Sequence, residues 1–383
     1  MILFENTIKH HRLYLLLSHK IPVSPNTIKM TFSFLKYLVV TCISLIFLNS
    51  CEKPRPVIYT NYRGETMGTF YNIQFEQGSV PVSQTEIDSL LEIFNLSLST
   101  YIPESTISKF NKADSVYCYA IKDTFFEKVF MKSKEIYSQS KGYFNPAIMP
   151  LVNYYGFGYE KSKKVETPDT SYIREILGYM RFEEMNLSKD TLAGEICIFK
   201  KHKPAQLDFS AIAKGYGVDV VANYLENKGS KHYMVEIGGE VRTKGENAEK
   251  KPWVIGINRP SDDASLQEVE LLLALSGVGM ATSGNYRNFY ESKGQKYAHI
   301  IDALTGMNRP SDILSTTVIA ADCMTADGYA TAFMAMGLDK SLELAKNIEG
   351  LEACFIYDEE GDGQFEFRMT EGFKKYFLVK ENQ

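Results

Sequence analysis

The residues of this chain best suited to chemistry are hard oxygen donors and one lysine at helix-turn spacing. Asp327 and Thr331 stand four apart in Ala326-Asp327-Gly328-Tyr329-Ala330-Thr331. On a helix that spacing puts a carboxylate and a hydroxyl on one face. Two such ligands suit Mg²⁺, which keeps waters and substrate phosphate oxygens in its other positions. The plainer reading of an aspartate near a helix start is a cap. A second group runs Leu207-Asp208-Phe209-Ser210-Ala211-Ile212-Ala213-Lys214. A strand ending at Asp208 and a helix opening after it would present free N–H groups to phosphate, and Lys214 would add a point charge to a diphosphate. Its alternative is a capped helix with a solvated lysine. Thr282 and Ser283, in Thr282-Ser283-Gly284-Asn285-Tyr286, offer hydroxyls and backbone to phosphate. His299 lies in the apolar stretch Tyr297-Ala298-His299-Ile300-Ile301-Asp302. A neutral imidazole there suits general-base work on a hydroxyl, against the alternative of a hydrogen-bonded core histidine. Tyr101, after Ser99-Thr100, can stack on an aromatic ring system.

Strands and helices are interleaved around these residues. Met67 to Phe75 reads as a strand, rich in β-branched and aromatic residues. Ser83-x-x-Glu86 is a capping box, and Ile87, Leu90, Leu91 and Phe94 behind it fall on one helix face. A second helix spans about Thr124 to Ser140, with Gly142 as its stop, and a third runs from near Ser210 to near Gly229. Strands dominate from Tyr233 to Val278. Helices follow near Thr325–Met336 and Lys340–Ile348, and a strand at Ala353–Tyr357. Hairpin-like strands with separate helices predict an α+β fold rather than a parallel doubly wound sheet. No GxGxxG follows a strand, so a Rossmann nucleotide site is not supported.

The net charge of −5 is spread over a mixed surface without a long basic run, which argues against nucleic-acid binding. Lys36 precedes an apolar run, Tyr37–Leu48, of signal-peptide length. The run ends in Leu48-Asn49-Ser50-Cys51, which resembles a bacterial lipobox with Cys51 as the lipidated residue. A plain secretory signal, or a short anchor with an incidental cysteine, is the alternative. Residues 1–50 are thus expected to be a signal peptide, with Met30 as a possible true start. Residues 51–62, holding Pro54 and Pro56, are expected to be a lipidated tether, and one domain to fill 63–383. Of the remaining cysteines, Cys118, Cys197, Cys323 and Cys354, no pair has CxxC spacing, and the sequence leaves their disulfide state open.

In this order the segments resemble the ApbE family of FAD:protein FMN transferases. The likeness runs from Glu65-Thr66-Met67-Gly68-Thr69, through Gly142-Tyr143-Phe144-Asn145-Pro146, the Asp208–Gly215 segment and Ile237-Gly238-Gly239-Glu240, to Ala326-Asp327…Thr331. The resemblance implies a single T-fold-like α+β domain with mostly antiparallel sheets and flanking helices. It implies FAD contacts from Met67, Tyr101, Tyr143, Phe144, Asn145, Asp208, Lys214, Thr282 and Ser283. Mg²⁺ would be held by Asp327, Thr331 and the Ala211 carbonyl, with His299 beside the FAD as the base for the acceptor hydroxyl. The acceptor implied is a Thr or Ser in an Asp-x-x-Ser/Thr-Gly-Ala-Thr/Ser motif, as in subunits of sodium-pumping NADH:quinone reductases or Rnf-type complexes. The implied location is the cell envelope, anchored by lipid to the inner membrane and facing the periplasm. Two positions depart from the family pattern: Asn145 replaces the usual Asp, and Ala303-Leu304 replaces a Pro-Arg or similar pair. The rival expectations are an Mg²⁺-dependent FAD pyrophosphatase giving FMN and AMP, and a non-catalytic FAD-binding lipoprotein.

Overall fold

Side-chain alternation explains the principal sheet. In the strand Thr69–Glu76, Tyr71, Ile73 and Phe75 are buried, Asn72 and Gln74 between them are half-buried, and Phe70 before them is exposed, the period-two pattern of a strand with one face on a core. The computed structural model describes residues 58–158, 165, 167–260, 269–284, 289–292, 295–298, 301–308, 313–358 and 365–378. The signal segment with Cys51, and His299, lie outside the described residues.

The strands are β1 (Tyr59–Thr66), β2 (Thr69–Glu76), β3 (Val116–Ala120), β4 (Asn186–Asp190), β5 (Glu195–Phe199), β6 (Tyr233–Ile237), β7 (Glu240–Lys244), β8 (Trp253–Asn258), β9 (Val269–Leu275), β10 (Val278–Gly284), β11 (Phe289–Ser292), β12 (Gln295–Ala298), β13 (Ile313–Ala320), β14 (Glu352–Tyr357) and β15 (Glu366–Met369). Eight form one sheet in the order β1-β2-β6-β7-β10-β13-β14-β15, with every neighbouring pair antiparallel. The helices are α1 (Gln84–Leu98), α2 (Thr106–Lys112), α3 (Thr124–Gln139), α4 (Met149–Tyr154), α5 (Thr170–Tyr179), α6 (Ser210–Asn227), α7 (Cys323–Met336) and α8 (Leu338–Asn347). Antiparallel sheets with separately packed helices are the α+β architecture the sequence predicts. Among the described residues no helix is long and apolar enough to cross a membrane.

α1 begins with the expected capping box: Ser83 and Glu86 bond each other's backbone N–H. Its face of Ile87, Leu91 and Phe94 is buried, and with α6 it covers Tyr71, Ile73 and Phe75 of β2. Half of α6 and most of α7 are buried, as expected of helices with apolar residues on several sides.

Two expectations need correction. The sheet opens at Tyr59, because Tyr59–Tyr62 pair with Ile73–Glu76; those four residues are strand, not tether. Met67 and Gly68 are not strand but the two-residue turn between β1 and β2, both at positive φ (52° and 73°). A tight hairpin of this kind requires left-handed backbone at both central residues. The sequence reading also missed α5 and the short helices α2 and α4, of seven and six residues. A disulfide joins Cys118 to Cys197, which face each other across β3 and β5; Cys323 and Cys354 are buried free thiols.

Candidate active site

Two helices touch at the heart of the site. Gly215 on α6 lies so close to α7 that an added Cβ would stand 2.3 Å from the Cys323 carbonyl oxygen and 2.6 Å from the Asp327 Cβ. Across this gap the Gly215 N–H donates to Asp327 Oδ2 at 2.9 Å. In a regular helix that N–H serves the carbonyl four residues back, which here is Ala211. The Ala211 carbonyl accepts the Thr331 hydroxyl at 3.3 Å. Thr331 Oγ1 is also 3.3 Å from Ser283 Oγ. The carboxylate and hydroxyl predicted to share a helix face therefore do so, and that face meets the Ala211 turn. Capping of α7 falls to Asp322, whose side chain accepts the Thr325 N–H at 2.8 Å. Asp327 is thus released from the capping role that the sequence left open.

The supporting contacts are specific. Asp219 on α6 is buried and accepts the Cys323 and Met324 N–H groups at 3.0 and 2.8 Å, and Arg242 Nη1 at 2.9 Å. It ties the start of α7 to α6 and fixes where Asp327 falls. The amide of Asn111 bonds both backbone groups of Leu207, at 2.8 and 2.7 Å. The next residue, Asp208, donates its N–H to the Pro146 carbonyl at 2.8 Å and accepts the Ser210 N–H and hydroxyl at 2.8 and 2.9 Å. The start of α6 is thereby held against the Tyr143–Pro146 loop.

Electrostatics set the character of the site. Lys214 donates to the Glu240 carboxylate, which is only 3% exposed. Glu240 Oε2 is buried with no hydrogen-bond partner. Asp327 is likewise 3% exposed. Burial pushes the Asp327 carboxyl up to about 6, against the pull of Lys214 and the Gly215 N–H. Burial, and then Asp327, push Glu240 up to about 8, against Lys214. Burial works to lower Lys214, but Glu240 and Asp327 outweigh it and the net shift is upward. One ammonium cannot keep two buried carboxylates ionised, so Lys214 stays charged while both acids resist ionisation. Asp208 is also raised by burial, against its bonds from Ser210. A dication would supply the missing countercharge, and the donors available are all hard oxygens, so the residues fit Mg²⁺.

These groups line a cavity of about 890 Å³. Of the predicted site residues, Tyr143, Phe144, Asn145, Asp208, Ala211, Lys214, Thr282, Ser283, Asp327 and Thr331 are in its wall. Asn145 has both ends of its amide bonded within the protein, to the Met180 carbonyl and the Ala147 N–H. An aspartate at this position has no donor for Met180. The Tyr143 hydroxyl accepts from Lys340 at 2.6 Å. Met67 and Tyr101 are not in the wall: Met67 packs over Gly217 of α6, and Tyr101 is 71% exposed. Thr305, in a segment that partly matches the acceptor motif, sits in a tight turn whose N–H groups Asp302 accepts. Sequence reading assigned no role to Glu240 or Asp219. Glu240 closes the quoted Ile237-Gly238-Gly239-Glu240 segment, and that placement was its only signal.

The sequence model of the ApbE family matches residues 67–355. An FAD:protein FMN transferase of Vibrio cholerae is 39% identical over 315 residues, covering 80% of this chain and 90% of that relative. One from Haemophilus influenzae is 34% identical over 339 residues, covering 87% and 95%. The solved structure of the flavin transferase ApbE from Vibrio cholerae superposes with a TM-score of 0.74 at 34% identity, covering 84% of this chain and all of that one. The apo form of the Pseudomonas stutzeri flavinyl transferase ApbE gives 0.73 at 28% identity, covering 84% and 97%. The family match reaches from the β1–β2 turn to β14 and so takes in α6, α7 and every described residue placed in the cavity wall above: the chain belongs to the ApbE family.

Proposed function

We propose that this chain is a magnesium-dependent FAD:protein FMN transferase that moves FMN from FAD to a Thr or Ser hydroxyl of another protein. The observation that carries the reading is the meeting of Asp327, Thr331 and the Ala211 carbonyl beside Lys214 in one cavity. Its volume lies within the range of cofactor-sized sites. The names of the relatives support the same activity.

Asp327, Thr331 and the Ala211 carbonyl are the groups that would hold Mg²⁺. When bound, the ion neutralises charge on the diphosphate. Lys214 adds a positive charge held in place by Glu240. The hydroxyls of Thr282 and Ser283 and the start of α6 orient phosphate oxygens. Tyr143, Phe144 and Asn145 wall the cavity, and by family resemblance Met67 and Tyr101 complete the FAD contacts. By the same resemblance His299 takes the proton of the acceptor hydroxyl. That oxygen bonds to the phosphorus on the FMN side, the P–O–P anhydride breaks, and AMP leaves.

The acceptor carries the motif given above and belongs to a redox complex of the sodium-pumping NADH:quinone reductase or Rnf type. The protein works in the cell envelope, anchored through lipid on Cys51 to the inner membrane and facing the periplasm. The Cys118–Cys197 disulfide supports that placement, because such bonds persist in oxidising compartments. AMP release from FAD and Mg²⁺, measured with and without an acceptor domain, tests the activity. Stimulation by the acceptor is expected; equal release without it would indicate hydrolysis instead.

A further inference from the structure

A second protein must bring a hydroxyl to this cavity, and β2 leads out of it. Asn72 of β2 is in the cavity wall, as is Glu236, its cross-strand partner on β6. Phe70 lies two residues nearer the Met67–Gly68 turn. With the pleat alternating, its side chain is on the same face as that of Asn72, about 7 Å along the strand. The Phe70 carbonyl accepts the Gly238 N–H at 3.0 Å, and Gly238 and Gly239 are themselves cavity wall. Phe70 is therefore a direct neighbour of cavity-wall residues, and its ring is 69% exposed. Directly across on β1, Glu65 pairs with Phe70 and Arg63 with Asn72, and both charged residues are exposed. A single exposed aromatic ring is ordinary on a protein surface. This one lies beside the cavity wall on a paired hairpin, with an acid directly opposite it on β1 and a base opposite Asn72.

We propose that the outer face of the β1–β2 hairpin docks the acceptor polypeptide, with Phe70 seating one of its apolar side chains and Glu65 and Arg63 framing the contact. The inference rests on the transferase reading, since a hydrolase that takes water needs no docking face. It also states what the acceptor looks like. An extended segment advances about 3.3 Å per residue, so an apolar side chain about two to four residues from the modified hydroxyl spans the distance from Phe70 to the cavity. Aromatic anchors flanked by polar groups are the usual centres of such contacts.

The test uses the full chain with FAD, Mg²⁺ and a soluble Rnf-type domain bearing the Asp-x-x-Ser/Thr-Gly-Ala-Thr/Ser motif. Phe70→Glu is expected to raise the KM for this domain about tenfold or more, and Phe70→Ala by a smaller factor. FAD affinity, thermal midpoint and acceptor-independent AMP release are expected to stay at wild-type values. An unchanged KM for the domain in Phe70→Glu overturns the proposal. So does a loss of FAD affinity matching the rise in KM, which would make Phe70 part of the FAD site. A change only in self-association, or only in binding to phosphatidylglycerol vesicles, also overturns it and assigns the face to a second copy or to lipid. Failure of the transferase reading is separately visible: wild-type chain would release AMP and leave the domain unmodified, and the docking face would fall with it.

Discussion

Asp219 shows how a single buried residue shapes this molecule. Burial raises its carboxyl to about 6, although Arg242 and the N–H groups of Cys323 and Met324 all favour the anion. In the unfolded chain an aspartate titrates near ~3.9. Between those values the folded state binds more protons than the unfolded state. Stability is therefore expected to fall as pH rises from about 4 to about 6 and then to level off, by about 3 kcal/mol from this residue. In Asp219→Asn the thermal midpoint should be lower at neutral pH, because Arg242 loses its buried partner, and less steeply pH-dependent between those limits. Thermal melts across pH 4–8 check both. Asp219 drew no notice in the sequence because its partners are 23, 104 and 105 positions away. Asp327 was legible because its partner Thr331 is one helical turn along. That Asp322 takes the capping role was settled only by where α7 begins.

At the scale of elements, the site depends on how closely α6 and α7 approach. Gly215→Ala is expected to drive them apart, since its Cβ would press on the backbone of Cys323 and on Asp327. Overpacking of that kind costs about 1–3 kcal/mol. Activity should fall further than stability explains, because the Gly215 N–H and the Ala211 carbonyl move with the backbone. Comparing the thermal midpoint with AMP release and its Mg²⁺ dependence separates the two effects; activity unchanged in a destabilised variant would count against the helix-contact account. The helices with one apolar face, α1, α3 and α8, were readable by periodicity, and α6 and α7 by the segments around Asp208 and Asp327, along with the strands around β2 and β14. The two-residue turn was not. Methionine at a left-handed position is rare, so Met67 looked like the first residue of a strand. Glu240 was unreadable for another reason: its lysine is 26 residues away and on a helix.

Across the whole molecule, the Cys118–Cys197 bond closes a segment with a sequence separation of 79. Closing a loop of that size stabilises the fold by about 4 kcal/mol through the unfolded state. Replacing both cysteines with serine, or adding reductant, should lower the thermal midpoint, and reductant should have no effect on the double variant. Reductant that leaves the wild-type midpoint unchanged would contradict a structural role. No spacing rule pairs these cysteines, which meet only because β3 and β5 become neighbours with three helices and β4 between them in the chain. The most direct measurement of the account as a whole is the intact mass of the acceptor domain after incubation with the protein, FAD and Mg²⁺. A gain of one FMN group on the domain, matched by AMP and absent with Asp327→Asn or with chelator, is the predicted result. An unmodified domain in the presence of released AMP, or full modification by Asp327→Asn in chelator, would contradict it.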